Sequence, residues 1–277
     1  MARQLTAPEL AARKGGDKIA MLTAYDAATA TLAERAGADV LLVGDSLGMV
    51  VLGYEDTLSV TMEDMLHHTK AVARTAKSAL VVGDMPFGSY AVSVEQAVEN
   101  GLRFLAEGGA RAVKLEGAKH LEAVRALARA GVPVMGHVGL TPQRLAEIGG
   151  FKAQARSAEA ARVLLQEARD LERAGCFSLV LEAVPSEVAE LVTSRLDIPT
   201  IGIGAGPGCD GQVLVIHDVL GLFDRFTPRF VKRYAELGSA SAEALAAYVK
   251  DVRQGGFPGP EHEFRLSGEE REKLEEL

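Results

Sequence analysis

The chain has 277 residues, 48% of them hydrophobic, which is enough for one barrel-sized domain or two ordinary ones. Its 30 lysines and arginines face 38 acids, a formal charge of −8 with no basic tract, which argues against a nucleic-acid partner. Only two cysteines without zinc or disulfide spacing, no signal-peptide core after Met1, and no apolar run of roughly 18 residues point to a cytoplasmic protein with no membrane partner.

In chain order, Thr6-Ala7-Pro8-Glu9 has the form of a capping box and opens a short helix that Gly15-Gly16 ends. Ile19 to Tyr25 reads as the first strand, Asp26 to Ala36 as a helix closed by Gly37, and Val40 to Asp45 as the second strand. A loop rich in Gly, Thr and Ser runs past Tyr54 to Thr61-Met62-Glu63-Asp64, which caps the next helix. Ala79 to Asp84 is the third strand, and Ser93 opens a helix reaching Gly108-Gly109. Ala112 to Glu116 is the fourth strand, its helix ends at Gly131, and Pro133 to His137 is the fifth. The loop from Gly139 to Lys152 is long and carries a short helix after Thr141-Pro142.

Ala158 to Ala174 is the clearest helix, with Ala160, Val163, Leu164, Ala168 and Leu171 in one apolar stripe. Phe177 to Glu182 is strand six, Ser186 to Leu196 a helix, Thr200 to Ile203 strand seven and Gln212 to His217 strand eight. Helices are expected over Pro228 to Leu237 and Ser241 to Gln254, before Gly255-Gly256-Phe257-Pro258 breaks the pattern. The strands are short, continuous runs of Val, Leu, Ile and Ala, as in parallel strands buried on both faces. Strand–helix alternation repeated eight times predicts an α/β fold, a single (β/α)8 barrel with an N-terminal capping helix and extra C-terminal helices. A doubly wound open sheet is the rival. The barrel domain is placed at 1–264 and an acidic tail at 265–277.

Five of these strands finish on an ionisable group: Asp45, Asp84, Glu116, His137 and Glu182. Barrel enzymes gather their active sites at the C-terminal strand ends. Any one of these residues alone is equally a strand-end group facing water, but five together read as one site. Side chains alternate along a strand, so Lys114 and Glu116 face the same way, with Met135 beneath His137 and Val180 beneath Glu182. Several carboxylates in one mouth repel each other unless cations sit among them. Lys114 supplies one charge, and all-oxygen donors without a thiolate favour Mg²⁺ for the remainder.

Other motifs carry less. Gly202-Ile203-Gly204-Ala205-Gly206-Pro207-Gly208 does not match the dinucleotide fingerprint and precedes a strand, so it reads as a tight turn near a ligand. His67-His68 lies mid-helix and reads as a helix face, and Cys176 as a small core hydrophobe. Gly-x-Ser-x-Gly is absent, which speaks against a serine hydrolase.

The chain resembles the ketopantoate hydroxymethyltransferase family. The resemblance rests on Val43-Gly44-Asp45-Ser46-Leu47-Gly48-Met49, Asp84-Met85-Pro86-Phe87, Val113-Lys114-Leu115-Glu116-Gly117 and Gly136-His137-Val138-Gly139-Leu140-Thr141-Pro142-Gln143. It extends through Gly149-Gly150-Phe151-Lys152, Leu181-Glu182-Ala183-Val184-Pro185, Ile201-Gly202-Ile203-Gly204-Ala205-Gly206 and Asp210-Gly211-Gln212-Val213-Leu214-Val215, and so covers Leu5 to Phe264. It implies transfer of a hydroxymethyl group from 5,10-methylenetetrahydrofolate to 3-methyl-2-oxobutanoate, through a Mg²⁺-stabilised enolate, giving ketopantoate for pantothenate and coenzyme A synthesis. It further implies that Asp45, Asp84 and Glu116 hold or position Mg²⁺, that Ser46, Asp84 and Lys114 contact the oxoacid together with Asp45 and His137, and that Glu182 is the proton acceptor. Family members are large homo-oligomers, often homodecamers.

Two readings stand beside this one. A Mg²⁺-dependent carbon–carbon lyase or aldolase on a related barrel would share the metal and the base, and a folate requirement separates the two. A non-catalytic barrel would need neither base nor lysine at its strand ends. Lys152 and Arg156, on the long loop, are candidates for an acidic folate tail.

Overall fold

A computed structural model describes residues 3–150 and 152–275 of the chain. Phe151 and the last two tail residues, 276–277, lie outside the described residues. The elements run α1 Ala7–Ala11, β1 Ile19–Thr23, α2 Ala27–Arg35, β2 Val40–Val43, α3 Leu47–Val50, α4 Met62–Thr75, β3 Leu80–Asp84 and α5 Val94–Ala106. They continue with β4 Ala112–Lys114, α6 Leu121–Arg129, β5 Val134–Gly139, α7 Leu145–Ile148, α8 Ala158–Ala174, β6 Cys176–Glu182 and α9 Ser186–Ser194. The chain ends with β7 Thr200–Ile203, β8 Gly211–Leu214, α10 Ile216–Val219, α11 Leu237–Gln254 and α12 Gly268–Glu275.

The eight strands pair in parallel and in chain order, and β8 closes on β1 with Ile19 opposite Gly211. This is the (β/α)8 barrel, and the open-sheet rival is excluded. Alternation along the strands sorts the core into two layers. Val40, Leu42, Leu80, Val82, Ala112, Met135, Val180, Ile201 and Val213 fill the barrel interior. Leu41, Val43, Val81, Val113, Val134, Leu179 and Leu181 pack outward against helix residues such as Leu66, Phe104, Leu127 and Leu164. Met135 and Val180 thus lie in the inner layer beneath His137 and Glu182, as the alternation predicts.

The caps written in the sequence form. Thr61 Oγ1 accepts from Asp64 N–H at 3.1 Å, Ser93 Oγ from Gln96 N–H at 3.1 Å, and Glu9 Oε2 from Thr6 N–H at 2.9 Å. α1 carries Leu10, fully buried, into the inner layer, so this short helix plugs the N-terminal end of the barrel. Lys14 just beyond it donates to Asp210 at 2.9 Å, ahead of β8.

Two expectations change. β8 stops at Leu214, and Ile216 to Val219 make a helical turn instead of continuing the strand. The Pro228 to Leu237 helix does not form: residues 228–236 are irregular, and the helix starts at Leu237. Tertiary bonds claim that segment's backbone, with Tyr234 N–H donating to Val219 O at 2.8 Å and Leu237 N–H to Leu220 O at 2.9 Å. Local propensity is a weak prior against such contacts. No helix among the described residues is long and apolar enough to cross a membrane.

Candidate active site

The acids predicted at strand ends meet at the C-terminal mouth. Asp84 closes β3, its neighbour across the ladder is Lys114 on β4, and Glu116 follows two residues later on the same face. Lys114 Nζ donates to Asp84 Oδ1 at 2.8 Å and Oδ2 at 2.9 Å, and lies 3.8 Å from Glu116 Oε1. Asp45, two residues beyond β2, donates its backbone N–H to Asp84 Oδ2 at 3.4 Å. His137 of β5 stands between two carboxylates, Nδ1 at 3.5 Å from Glu116 Oε1 and Nε2 at 3.3 Å from Glu182 Oε2, neither with hydrogen-bond geometry. Ser46, half-buried at the start of α3, shares a hydrogen bond of 2.8 Å with the buried Tyr25 hydroxyl. All seven residues singled out in the sequence therefore fall in one mouth.

Two residues not singled out stand among them. Gln143, on the 3-10 turn Pro142–Arg144, donates its backbone N–H to Glu116 Oε2 at 3.1 Å and its Nε2 to Asp45 Oδ2 at 2.9 Å. Tyr90 donates its hydroxyl to Gln143 Oε1 at 2.6 Å. The only signal in the sequence is that Gln143 closes the Thr141-Pro142-Gln143 motif. Its role is visible only once the fold brings the loop after β5 across to β2.

The charges are unevenly balanced. Burial, with Asp84 and Glu116 nearby, pushes the Asp45 carboxyl well above the ordinary carboxylate range. Burial also raises Asp84, although Lys114 opposes it. Glu116 goes the other way: burial would raise it, but His137, Lys114 and the Gln143 N–H outweigh that and lower it. Burial and Lys114 would depress His137, yet the carboxylates of Glu116 and Glu182 lift it to about 9. Its place between two acids favours the protonated imidazole.

Backbone geometry aims Glu182. It ends β6, and its carbonyl accepts from Leu140 N–H at 2.9 Å. Gly139 has φ +98°, and a Cβ there would run into the Glu182 carbonyl. Ala183 follows with φ +49°, a conformation that side-chain-bearing residues rarely adopt. Strain of this kind beside an ionisable strand-end residue is typical of functional sites.

The remaining motifs are structural. His68 Nδ1 lies 2.6 Å from the Tyr25 carbonyl. Gly204 and Gly206 have positive φ and make room for Phe230 and Ser186. Cys176 is a buried free thiol, pushed up to about 12 by burial. Lys152 and Arg156 are exposed.

The model of the ketopantoate hydroxymethyltransferase family matches residues 4–260. The chain belongs to this family. A 3-methyl-2-oxobutanoate hydroxymethyltransferase of Syntrophobacter fumaroxidans is 59% identical, with 100% of this chain and 99% of that protein covered. One of Nitratidesulfovibrio vulgaris strain DP4 is 60% identical over 95% of this chain and 86% of its own. Among solved structures, a 2,3-dimethylmalate lyase of the PEP mutase/isocitrate lyase superfamily superposes with TM-score 0.59 at 16% identity, covering 99% of both chains. A phosphonopyruvate hydrolase complex with oxalate and Mg²⁺ gives TM-score 0.61 at 14% identity, covering 98% of this chain and 95% of that one. These distant structures share the barrel fold.

The donor chemistry of the ketopantoate hydroxymethyltransferase site suits a divalent cation. Mg²⁺ is held through one or two carboxylates with water completing its shell. Asp45 and Asp84 are two adjacent buried acids, and their carboxylates offer the oxygen donors such an ion takes. Among the described residues no three or more His, Cys, Asp or Glu side chains converge into a ready-made metal cage. Glu116, the third acid expected there, is engaged by Gln143, Lys114 and His137. The donors a Mg²⁺ would meet first are the Asp45–Asp84 pair.

Proposed function

We propose that the chain transfers a hydroxymethyl group from 5,10-methylenetetrahydrofolate to 3-methyl-2-oxobutanoate, forming ketopantoate for pantothenate and coenzyme A synthesis, with Glu182 as the base. The overall reaction follows from family membership over residues 4–260. The observation that carries the residue assignment is that Glu182 faces an under-balanced acid cluster across a single imidazole, His137.

In this reading Asp45 and Asp84 hold Mg²⁺, with Glu116 beside them. When bound, the cation supplies Lewis acidity to the keto and carboxylate oxygens of a 2-oxoacid. Lys114, kept protonated by the surrounding acids, offsets the substrate's carboxylate charge, and Ser46 Oγ donates to the oxoacid. His137 faces Oε2 of Glu182, which leaves Oε1 to take the proton from C3 of the oxoacid. The electron pair left at C3 forms the new bond to the folate's methylene carbon as one of its two carbon–nitrogen bonds breaks. Water then displaces the second nitrogen, giving the hydroxymethyl group and tetrahydrofolate, whose nitrogens take up the two protons released from C3 and from water.

We further propose a homo-oligomer, in the family manner a homodecamer. α11 supports this: none of its residues is buried, and Leu245, Tyr248 and Val252 are 64%, 54% and 47% exposed. The two free buried cysteines suit a cytoplasmic enzyme.

The deciding assay mixes the enzyme with both substrates and follows ketopantoate by mass spectrometry, with and without EDTA. Ketopantoate that appears only with folate and a divalent cation is the expected result. Cleavage of a larger acid without folate would point to a lyase instead.

A further inference from the structure

A directed chain of hydrogen bonds ties Tyr90 and Gln143 to the two acids that flank the Asp84–Lys114 pair. Glu116 N–H donates to the Tyr90 hydroxyl oxygen at 3.3 Å. The single hydroxyl proton is then left to donate to Gln143 Oε1, at 2.6 Å. A phenol keeps its proton at neutral pH, so that donor is available.

With Oε1 fixed as the acceptor, the Gln143 amide can point only one way. Its Nε2 donates to Asp45 Oδ2 and to the Met85 carbonyl, both at 2.9 Å. A carbonyl can only accept, so Met85 independently confirms the amide orientation. The Gln143 backbone N–H meanwhile donates to Glu116 Oε2 at 3.1 Å. Tyr90 and Gln143 are almost fully buried, as are both acids. Two oxygens from the loops after β2 and β4, Asp45 Oδ2 and Glu116 Oε2, are thus held by one residue. Asp45 Oδ1 receives no hydrogen bond among the described residues.

We infer that Gln143, oriented by Tyr90, is a positioning residue that holds Asp45 Oδ2 and so leaves Oδ1 as the oxygen that would take a divalent cation. The inference rests on the reading of Asp45 as a cation-site residue. Gln143 need not touch substrate. A group that holds a metal-ligating carboxylate in this way is worth about 10–100-fold in metal affinity.

The test is a double-mutant cycle read by calorimetric Mg²⁺ titration without substrates, with melting curves of the metal-free proteins as the folding control. Gln143→Leu is expected to weaken Mg²⁺ binding about 10–100-fold. Tyr90→Phe, which keeps the ring, is expected to weaken it less, and to add nothing once Gln143 is leucine, because the hydroxyl acts only through the amide. Additive effects of the two substitutions, or wild-type affinity in Gln143→Leu, would overturn the inference. If Gln143→Leu does not fold, Tyr90→Phe decides alone: weaker binding at an unchanged melting temperature supports the inference, and unchanged binding sinks it. Asp45→Ala separates the two levels, since unchanged Mg²⁺ affinity there removes the cation-site reading itself.

Discussion

At the residue scale, the division of labour among the carboxylates can be tested one side chain at a time. Glu182→Gln keeps the size of the base but cannot take a proton. It is expected to lower kcat by about 10²–10⁴-fold and to abolish exchange of the C3 hydrogen of 3-methyl-2-oxobutanoate in deuterated water, while Mg²⁺-dependent oxoacid binding persists. Exchange at the wild-type rate would remove Glu182 as the base. Asp45 makes the opposite prediction for stability. Its folded-state pKa is raised, so ionising it destabilises the metal-free fold as pH climbs above the unfolded carboxylate range. Asp45→Asn is therefore expected to melt higher than wild type at pH 8 without metal, by about 2–4 °C for each kcal/mol, and to lose the stabilisation that added Mg²⁺ gives the wild type. His137 titrates from 6.5 unfolded to about 9 folded, so its contribution is complete below 6.5 and lost as pH rises through 9. Across that window, melting temperatures of metal-free wild type should fall more steeply than those of His137→Gln. Equal slopes would show that the imidazole carries no charge in the site.

At the level of elements, what could be read in the sequence was whatever local chemistry decides. Thr61, Ser93 and Ser157 cap their helices because a short hydroxyl beside a free helix end finds the same partner in any fold. Asp84 and Glu182 stood out because apolar strands have no structural use for a terminal acid. Gln143 did not, since its meaning lies 98 residues away at Asp45. Pro228 to Leu237 misled for the same reason: Phe230 packs on Gly204 and Arg233 reaches the Phe223 carbonyl at 3.2 Å, contacts that no local pattern announces. The pairing of β5 with β6, which sets Gly139 opposite Glu182, yields a prediction of its own. Gly139→Ala places a methyl against the Glu182 carbonyl at φ +98° and should cost about 1–3 kcal/mol, with a loss of kcat because it moves the base. Gly131→Ala is the matched control, with φ +84° but open space around it. It should lose stability and keep its turnover. Equal kcat in the two variants would dissociate Gly139 from the aim of Glu182.

For the molecule as a whole, α11 is the outlier. In a (β/α)8 barrel the helices ordinarily pack on the outer face of the strands, whereas Leu245, Tyr248 and Val252 of this long helix are exposed. Light scattering is expected to give a mass that is a multiple of 29.3 kDa, tenfold for the decamer, and Tyr248→Glu should reduce it. A monomer in the wild type would leave this helix without its explanation. The plug at the other end of the barrel bears on how the protein is made. Leu10 sits in a ring of side chains that includes Ile19 near the start and Val213 near the end, and β1 finds its second neighbour only in β8. On the ribosome, α1 leaves the exit tunnel well before residue 214, whose strand closes the ring around Leu10. Until then, its leucine and the open edge of β1 belong to an unfinished nascent chain, whose sticky interior is what chaperones recognise.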